Sequence, residues 1–488
     1  MSKRWFLATG ALALTVACQD NPPTGVKLDS RDIASAVATD PALAGALTAA
    51  SPTDQLQVIV TYNEATTTAD ALANSVLGVG AGVIGFENLP MVAALATPAQ
   101  IQSIQSLAGV DGVYLNKPLR YLLAESIPAI HADAVHVAGI TGKGVGVAIL
   151  DSGIDGLYNQ DLAYPTHTVA NVKYVANLTD LYTKPGSIDK SLKKGASIFV
   201  ENLPNTESSM GHGTHVAGIA AGTGASSGGK YTGVAPGSNV VGISTGDGPF
   251  IFWALAGFDY VLSHRGQYNI QVVNNSWGTD GAYDPHDPIN RATKKVHDAG
   301  VTVVFAAGNS GPGENTLNPY SVAPWVISVA AGCKINVVDP TNSASHCVDG
   351  NGRGVIADFS SRGIPGDPLY HPDITAPGVH LASARASTGT IINALDANHD
   401  ARICNISVLN EPYYTCASGT SMASPHVTGV VALLAEAAGG SISPDKALRV
   451  LQASAQPLAG FGEYEAGAGY LNALAAVNCV KNNYSCLK

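Results

Sequence analysis

The chain has 488 residues, a length that suggests about two to three domains, with 46% apolar and only 13% charged residues. This composition supports a large buried core and excludes a disordered or fibrous protein. A net charge of −11 argues against a nucleic-acid groove, which needs a basic face.

At the amino end, Lys3 and Arg4 precede an apolar run from Trp5 to Ala17 that closes on small residues. This is the pattern of an export signal over residues 1–17. The run is shorter than the about 20 residues a membrane-spanning helix takes. It ends in Thr15-Val16-Ala17-Cys18, which resembles a bacterial lipoprotein box, although Leu14 stands four residues before Cys18 where that box has Leu three before. Two readings stay open: lipidation of Cys18 with a membrane anchor, and plain secretion after cleavage behind Ala17.

Residues 18–53 read as a linker with one short helix. From 54 to 123 the pattern sharpens. Gln55–Tyr62 alternates as a strand, Thr67–Leu77 is helical, and Gly82–Leu89 and Met91–Ala96 are strands. Pro98–Leu107 is helical and Gly112–Leu119 closes the unit as a strand. The order βαββαβ predicts a small α+β, ferredoxin-like domain. After Leu123, short apolar strands alternate with helices: strands at 145–150, 239–243, 270–274, 301–307 and 325–330, helices near 212–222, 251–264, 286–299 and 422–437. Such alternation predicts an α/β domain with a mostly parallel central sheet and helices on both faces. It extends over 124–477, with loop-rich insertions at 173–210 and 342–410 and a tail at 478–488. The basic run Lys190–Lys194 reads as a solvated face.

Three segments carry chemistry. Val147-Ala148-Ile149-Leu150-Asp151-Ser152-Gly153 delivers a carboxylate at the end of an apolar strand. Gly211-His212-Gly213-Thr214-His215 opens a helix with a glycine-flanked histidine. Ser418-Gly419-Thr420-Ser421-Met422-Ala423-Ser424-Pro425 sends a serine into another helix, with Pro425 placed in its first turn. Peptide hydrolysis near neutral pH needs a nucleophile, a base for its proton and a group that holds the base in one tautomer. The chain order Asp, His, Ser differs from the chymotrypsin-like and α/β-hydrolase orders, and Ala423 breaks the G-x-S-x-G pattern of the latter. Each segment alone has a bland reading as a turn, a loop or a helix cap. Together and in this order, they do not.

All three segments resemble the signatures of the subtilisin family. That resemblance implies a serine endopeptidase acting on proteins or peptides through Asp151, His212 and Ser421, with no cofactor required for the chemistry. Phe305-Ala306-Ala307-Gly308-Asn309-Ser310-Gly311 matches a fourth family segment and implies that Asn309 donates its side-chain amide to the oxyanion. Asn275-Ser276-Trp277-Gly278 resembles the strand edge that binds substrate, which makes Ser276, Trp277 and Gly278 substrate-binding residues. Ala124-Glu125-Ser126-Ile127-Pro128 looks like a mature amino terminus. The preceding domain is then an inhibitory propeptide removed by self-cleavage between Leu123 and Ala124, and an apolar Leu123 hints at a preference for large apolar side chains before the scissile bond. Asp161-Leu162 resembles a family segment whose Asp binds structural Ca²⁺, with no firm metal site assigned. The spacing of 61 residues from Asp151 to His212 is longer than in compact members.

Seven cysteines suit an exported chain. With Cys18 set aside, Cys333, Cys347, Cys404, Cys416, Cys479 and Cys486 are disulfide candidates, sequence neighbours being the simplest pairs. Two glycine strings are decoys. Gly80-x-Gly82-x-x-Gly85 enters a strand after a helix, the reverse of a dinucleotide fingerprint, and Gly224–Lys230 is followed by Tyr231 instead of the Ser or Thr of a phosphate loop. His212-x-x-His215 lacks the spacing and Glu of a zinc protease. His215 and His426 read as packing residues. The competing functions are a surface binding lipoprotein that has lost turnover and a non-protease acyl transferase on the same site. The expected protein is a monomer outside the cytoplasm.

Overall fold

The computed structural model describes residues 38–116, 120–121, 127–174, 199–246, 250–335, 355–395, 404 and 406–488. The chain divides into two units, Met1–Ala36 and Val37–Lys488. The first, which holds the expected export signal and Cys18, lies outside the described residues. So do Leu123, Ala124, Cys347 and the run Lys190–Lys194.

The second unit begins with a five-stranded sheet made of β1 (Ala38–Thr39), β2 (Leu56–Tyr62), β3 (Gly82–Gly85), β4 (Met91–Ala96) and β5 (Val110–Leu115), in the order β1-β5-β2-β4-β3. The β2, β4, β3 and β5 pairings are antiparallel, and β1 joins the edge parallel to β5. Helices Ala69–Gly78 and Pro98–Gln105 complete the predicted βαββαβ order. Thr97 and Gln100 form a reciprocal capping box at the second of these. The linker expected at 18–53 is shorter than predicted. Residues 38–49 belong to the sheet unit, because Asp40 caps helix Pro41–Ala49 at Ala42 N and also accepts from Leu115 N, while Leu43 is buried in the domain core.

Short strand β6 (Arg120–Tyr121) leads to the second domain. Its large sheet contains β7 (Gly146–Asp151), β8 (Thr168–Tyr174), β9 (Phe199–Val200), β10 (Asn239–Ser244), β11 (Ile270–Asn275), β13 (Thr302–Ala306), β14 (Ile327–Gly332) and β15 (Ile374–Pro377). Between β11 and β13 lies the two-residue β12 (Trp277–Gly278), and β16 (Leu381–Ala384) pairs with β17 (Tyr414–Ala417) in a separate ribbon. The large sheet runs β15-β14-β13-β11-β7-β10-β8-β9, parallel throughout except for β9. Successive residues of β7 go to opposite faces. Val147 and Ile149 enter one core with helices His212–Ala221 and Thr420–Ala437, and Ala148 and Leu150 enter another with helices Ile251–His264 and Pro288–Asp298. Burial on both faces is why these strands read as unbroken apolar runs. The fold is thus α/β with a mostly parallel central sheet covered by helices.

Two boundaries differ from expectation. The tail at 478–488 is not loose: helix Ala473–Lys481 buries Cys479, which is bonded to Cys486 with Cα atoms 5.4 Å apart. The insertion at 342–410 holds β15 and β16, which are integral to the fold, and Cys404 bonds to Cys416. Cys333 is also disulfide-bonded.

Candidate active site

Asp151 is the last residue of β7 and is fully buried. Its Oδ1 accepts from His212 Nδ1 at 2.6 Å and from Ser152 N at 2.8 Å. A ring nitrogen facing a carboxylate carries the proton, so His212 presents Nε2 as its basic nitrogen. His212 opens helix His212–Ala221 directly after Gly211, whose φ of 71° lies in the left-handed region. A side chain at Gly211 would also strike Ile392 and Gly389. Gly213 is tighter still: a Cβ there would sit 2.2 Å from the carbonyl oxygen of Gly153 and 3.1 Å from Asp151 Cβ. The two glycines flanking His212 therefore let its helix approach the Asp151 turn.

Ser421 is the second residue of helix Thr420–Ala437, which packs against the His212 helix and against β11, β13 and β14. Its hydroxyl donates to the carbonyl of Ser276 at 2.9 Å, and Ser276 Oγ donates back to the carbonyl of Ser421 at 2.6 Å. Pro425 lies deeper in the helix than the predicted first turn, as its sixth residue. Having no N–H, it leaves the Ser421 carbonyl without its helical donor, and Ser276 Oγ supplies the replacement. Asn274 continues the network, donating to Ser276 Oγ and accepting from Ser424 Oγ and Thr428 Oγ1. The fully buried polar groups around Ser421 are thus held from β11.

Asn309 follows β13. Its Oδ1 accepts from Thr420 N at 2.9 Å and Thr420 Oγ1 at 2.8 Å. This fixes the carboxamide and leaves Nδ2 as an available donor beside Ser421. Asn309 lines a cavity of about 170 Å³ together with Gly278, Asp280, Gly308, Thr316 and Asn318. Asn318, which the sequence did not flag, donates to the carbonyls of Trp277 and Ala306 and joins the cavity wall to both strands. A Cβ at Gly278 would lie 2.4 Å from its carboxamide. β12 pairs antiparallel with β6, Trp277 opposite Tyr121 and Gly278 opposite Arg120. The edge expected to bind substrate therefore carries a strand from just before the expected cleavage point. Trp277 takes part through its backbone alone. Its side chain is fully buried, donates to Leu150 O and packs on Phe305, so it is a core residue and not part of the cavity.

His215 and His426 lie inside the protein. His215 Nε2 contacts the carbonyl of Thr415 and His426 Nδ1 that of Met422. Burial, reinforced by His212, pushes His215 down to about 3, so it stays neutral. Among the described residues no cluster of three or more His, Cys, Asp or Glu is arranged to hold a metal. Asp161, which resembles a calcium ligand in sequence, is buried with Oδ1 accepting from Ser226 N and Oδ2 from Tyr414 Oη, so both oxygens already have protein donors.

A family model described as "Subtilase family" matches residues 142–471. The chain belongs to the subtilase family. This subtilase is 31% identical over 385 residues to serine protease AprX of Bacillus subtilis (strain 168), covering 75% of the present chain and 74% of that protein. It is 30% identical over 319 residues to subtilisin of Bacillus pumilus, covering 64% of the chain and 85% of that protein. Its fold resembles the crystal structure of fervidolysin from Fervidobacterium pennivorans with a TM-score of 0.59 at 21% identity, covering 87% of this chain and 61% of that one. The subtilase is a serine endopeptidase, and chemistry of this family requires no cofactor.

A second residue missed in the sequence is Glu207. It lies in the 173–210 insertion, five positions before His212, within a polar loop where no periodicity distinguishes it from a solvated carboxylate. In the structure it is only 6% exposed.

Proposed function

We propose that Asp151, His212 and Ser421 form the catalytic triad. The observation that carries this reading is the buried 2.6 Å Asp151–His212 hydrogen bond, set beside a helix that holds Ser421 near its amino end. Ser421 Oγ leaves the Ser276 carbonyl, gives its proton to His212 Nε2 and attacks the peptide carbonyl. Asp151 holds the imidazole and stabilises its charged form. Asn309 Nδ2 and Ser421 N donate to the developing oxyanion, with the helix amino end adding a favourable field. His212 then returns the proton to the leaving amine. Water hydrolyses the acyl-enzyme by the same route and frees Ser421.

The sheet unit over 38–116 acts as an inhibitory propeptide, with β6 lying along β12 where a substrate strand would add. Self-cleavage between Leu123 and Ala124 separates it. The chain works outside the cytoplasm as a monomer, exported by residues 1–17, with Cys18 as the lipid attachment point and disulfides suited to an oxidising compartment. Among the described residues no helix is long and apolar enough to cross a membrane. The test is peptide hydrolysis by the purified chain and labelling by a fluorophosphonate. Both should be lost in Ser421→Ala and the label should map to Ser421 in wild type. Turnover that survives Ser421→Ala would remove the triad reading.

A further inference from the structure

Glu207 is a buried carboxylate that the proposed chemistry does not use, and its oxygens accept four hydrogen bonds. Oε1 accepts from Ser152 Oγ at 2.6 Å and from Ser208 N at 2.9 Å. Oε2 accepts from Thr214 N at 2.8 Å and Thr214 Oγ1 at 2.6 Å. Two of the four donors are backbone N–H groups, one on each oxygen, and these cannot reverse their polarity. An amide in place of the carboxylate would set an NH₂ group against at least one of them.

These contacts tie together the two segments that must stay in register. Ser152 directly follows Asp151, and its backbone N–H donates to Asp151 Oδ1, the same oxygen that receives His212 Nδ1. Ser152 Oγ donates to Glu207 and therefore turns its lone pairs toward Gly213 N, from which it accepts at 2.8 Å. Gly213 directly follows His212, and Thr214 is the next residue. One carboxylate thus reaches the turn after Asp151 through Ser152 and the first turn of the His212 helix through Thr214. A negative group at that helix amino end is also favoured by the first-turn N–H groups there, which have no partner within the helix.

We infer that Glu207 is a positioning residue of the active site, clamping the Asp151 turn to the His212 helix so that the Asp151–His212 bond keeps its catalytic geometry. The inference rests on the triad reading above. It gives the end of the 173–210 insertion a role in catalysis although Glu207 touches neither substrate nor the reacting atoms. Burial pushes the Glu207 carboxyl up to about 7 against the pull of its four donors. The four donors favour the ionised form against this burial, and among the described residues no cation pairs with Glu207. The titratable groups facing the clamp are Asp151 and His212, with His215 behind them held neutral.

The test uses the full chain with Glu207→Gln, Glu207→Asp and Ser152→Ala, measuring kcat and KM for a peptide substrate per active site titrated with a fluorophosphonate, alongside Tm. Glu207→Gln should lower kcat by about 10²-fold, the scale of a sub-ångström to ångström misplacement, with KM within about twofold. Glu207→Asp should recover part of that loss, and Ser152→Ala should reproduce much of it while leaving Thr214 capped. On an Asp151→Ala background, Glu207→Gln should add little, because its effect passes through the pair. The inference is overturned if Glu207→Gln or Ser152→Ala keeps wild-type kcat in the folded state, or if the loss on the Asp151→Ala background is as large as on wild type. If Glu207→Gln does not fold, Ser152→Ala alone decides. Failure of the triad reading would look different: Ser421→Ala would remain active whatever Glu207 does.

Discussion

The two sheets of this protein solve opposite problems. The large parallel sheet buries both faces under helices and gathers polar groups at one end of its strands, where Asp151 ends β7 and Ser276 and Asn309 follow β11 and β13. The small sheet has a purely apolar core of its own, in which Val58, Val60, Val83 and Val92 pack with Leu72, Ile101 and Ile104. Its other face is apolar too: Ile59, Ile84 and Met91 join Phe252 and Leu255 in a core cluster of the catalytic domain. Adjacent residues of one strand thus serve two different interiors, as the alternation of a strand dictates. The contact is edged by polar links. Asp259 accepts from Glu87 N and Asn88 N, Asn116 Oδ1 accepts from Phe252 N, and Arg291 reaches Asp111. What this difference teaches is a division of labour. The large sheet stores oriented polar groups for chemistry, whereas the small one is built to be covered, and its apolar face would be a liability if it were separated.

The comparison can be broken most forcefully at the polar end of the large sheet. Asn309→Ala should lower kcat by about 10²–10³-fold with KM nearly unchanged, a magnitude that the general rule takes from subtilisin itself. A large rise in KM at constant kcat would instead make Asn309 a binding residue. Next in size, Ile59→Ala should cost about 2–5 kcal/mol, because it opens a cavity between the two domains. In the calorimetry of the full chain carrying Ser421→Ala, this should lower the transition of the small domain and leave that of the catalytic domain in place. Movement of both together would show that the interface is not a separable surface.

The smallest effect concerns acid stability. His215 is held neutral, with its pKa pushed from 6.5 down to about 3. The unfolded chain therefore binds more protons between those values, and the stability His215 contributes is complete above pH 6.5 and lost as pH falls toward 3. His215→Gln should flatten the fall of Tm over that window while leaving Tm above pH 7 close to a constant offset. An unchanged slope would mean that another group controls the acid limb. Glu207, with a raised pKa, acts in the opposite sense between its ordinary 4.5 and about 7.

The sequence made the main architecture legible because both sheets follow strong periodicities. The helix at 251–264 and the βαββαβ order coincide with the structure, and the strands of the parallel sheet fall within a residue or two of their expected ranges. Strand β15 was hidden inside the segment 342–410 read as loop-rich, and β8, which overlaps the 173–210 insertion only at its last two residues, was not among the expected strands; Thr168–Tyr174 and Ile374–Pro377 are too short and mixed to stand out. Asp151 and His212 were brought together by the resemblance of their segments to the subtilisin family, and why glycines flank His212 at 211 and 213 is seen only in the structure. The roles of Glu207, Thr420 and Asn318 were not legible, since each depends on a hydrogen bond to a residue remote in sequence (Ser152, Asn309 and Trp277), and such bonds leave no local pattern. Pro425 is instructive for the same reason. Its tolerance depends on Ser276, which lies 149 positions away in sequence and donates to the carbonyl the proline orphans.

The most direct test of the central claim is the intact mass and amino-terminal sequence of the chain, expressed with an export signal as wild type and as Ser421→Ala. The account predicts that wild type trims itself near Ala124 and that Ser421→Ala stays joined through Leu123–Ala124 while folding normally. A folded wild type that stays full length, or a Ser421→Ala chain that trims at the same bond and rate, would contradict it.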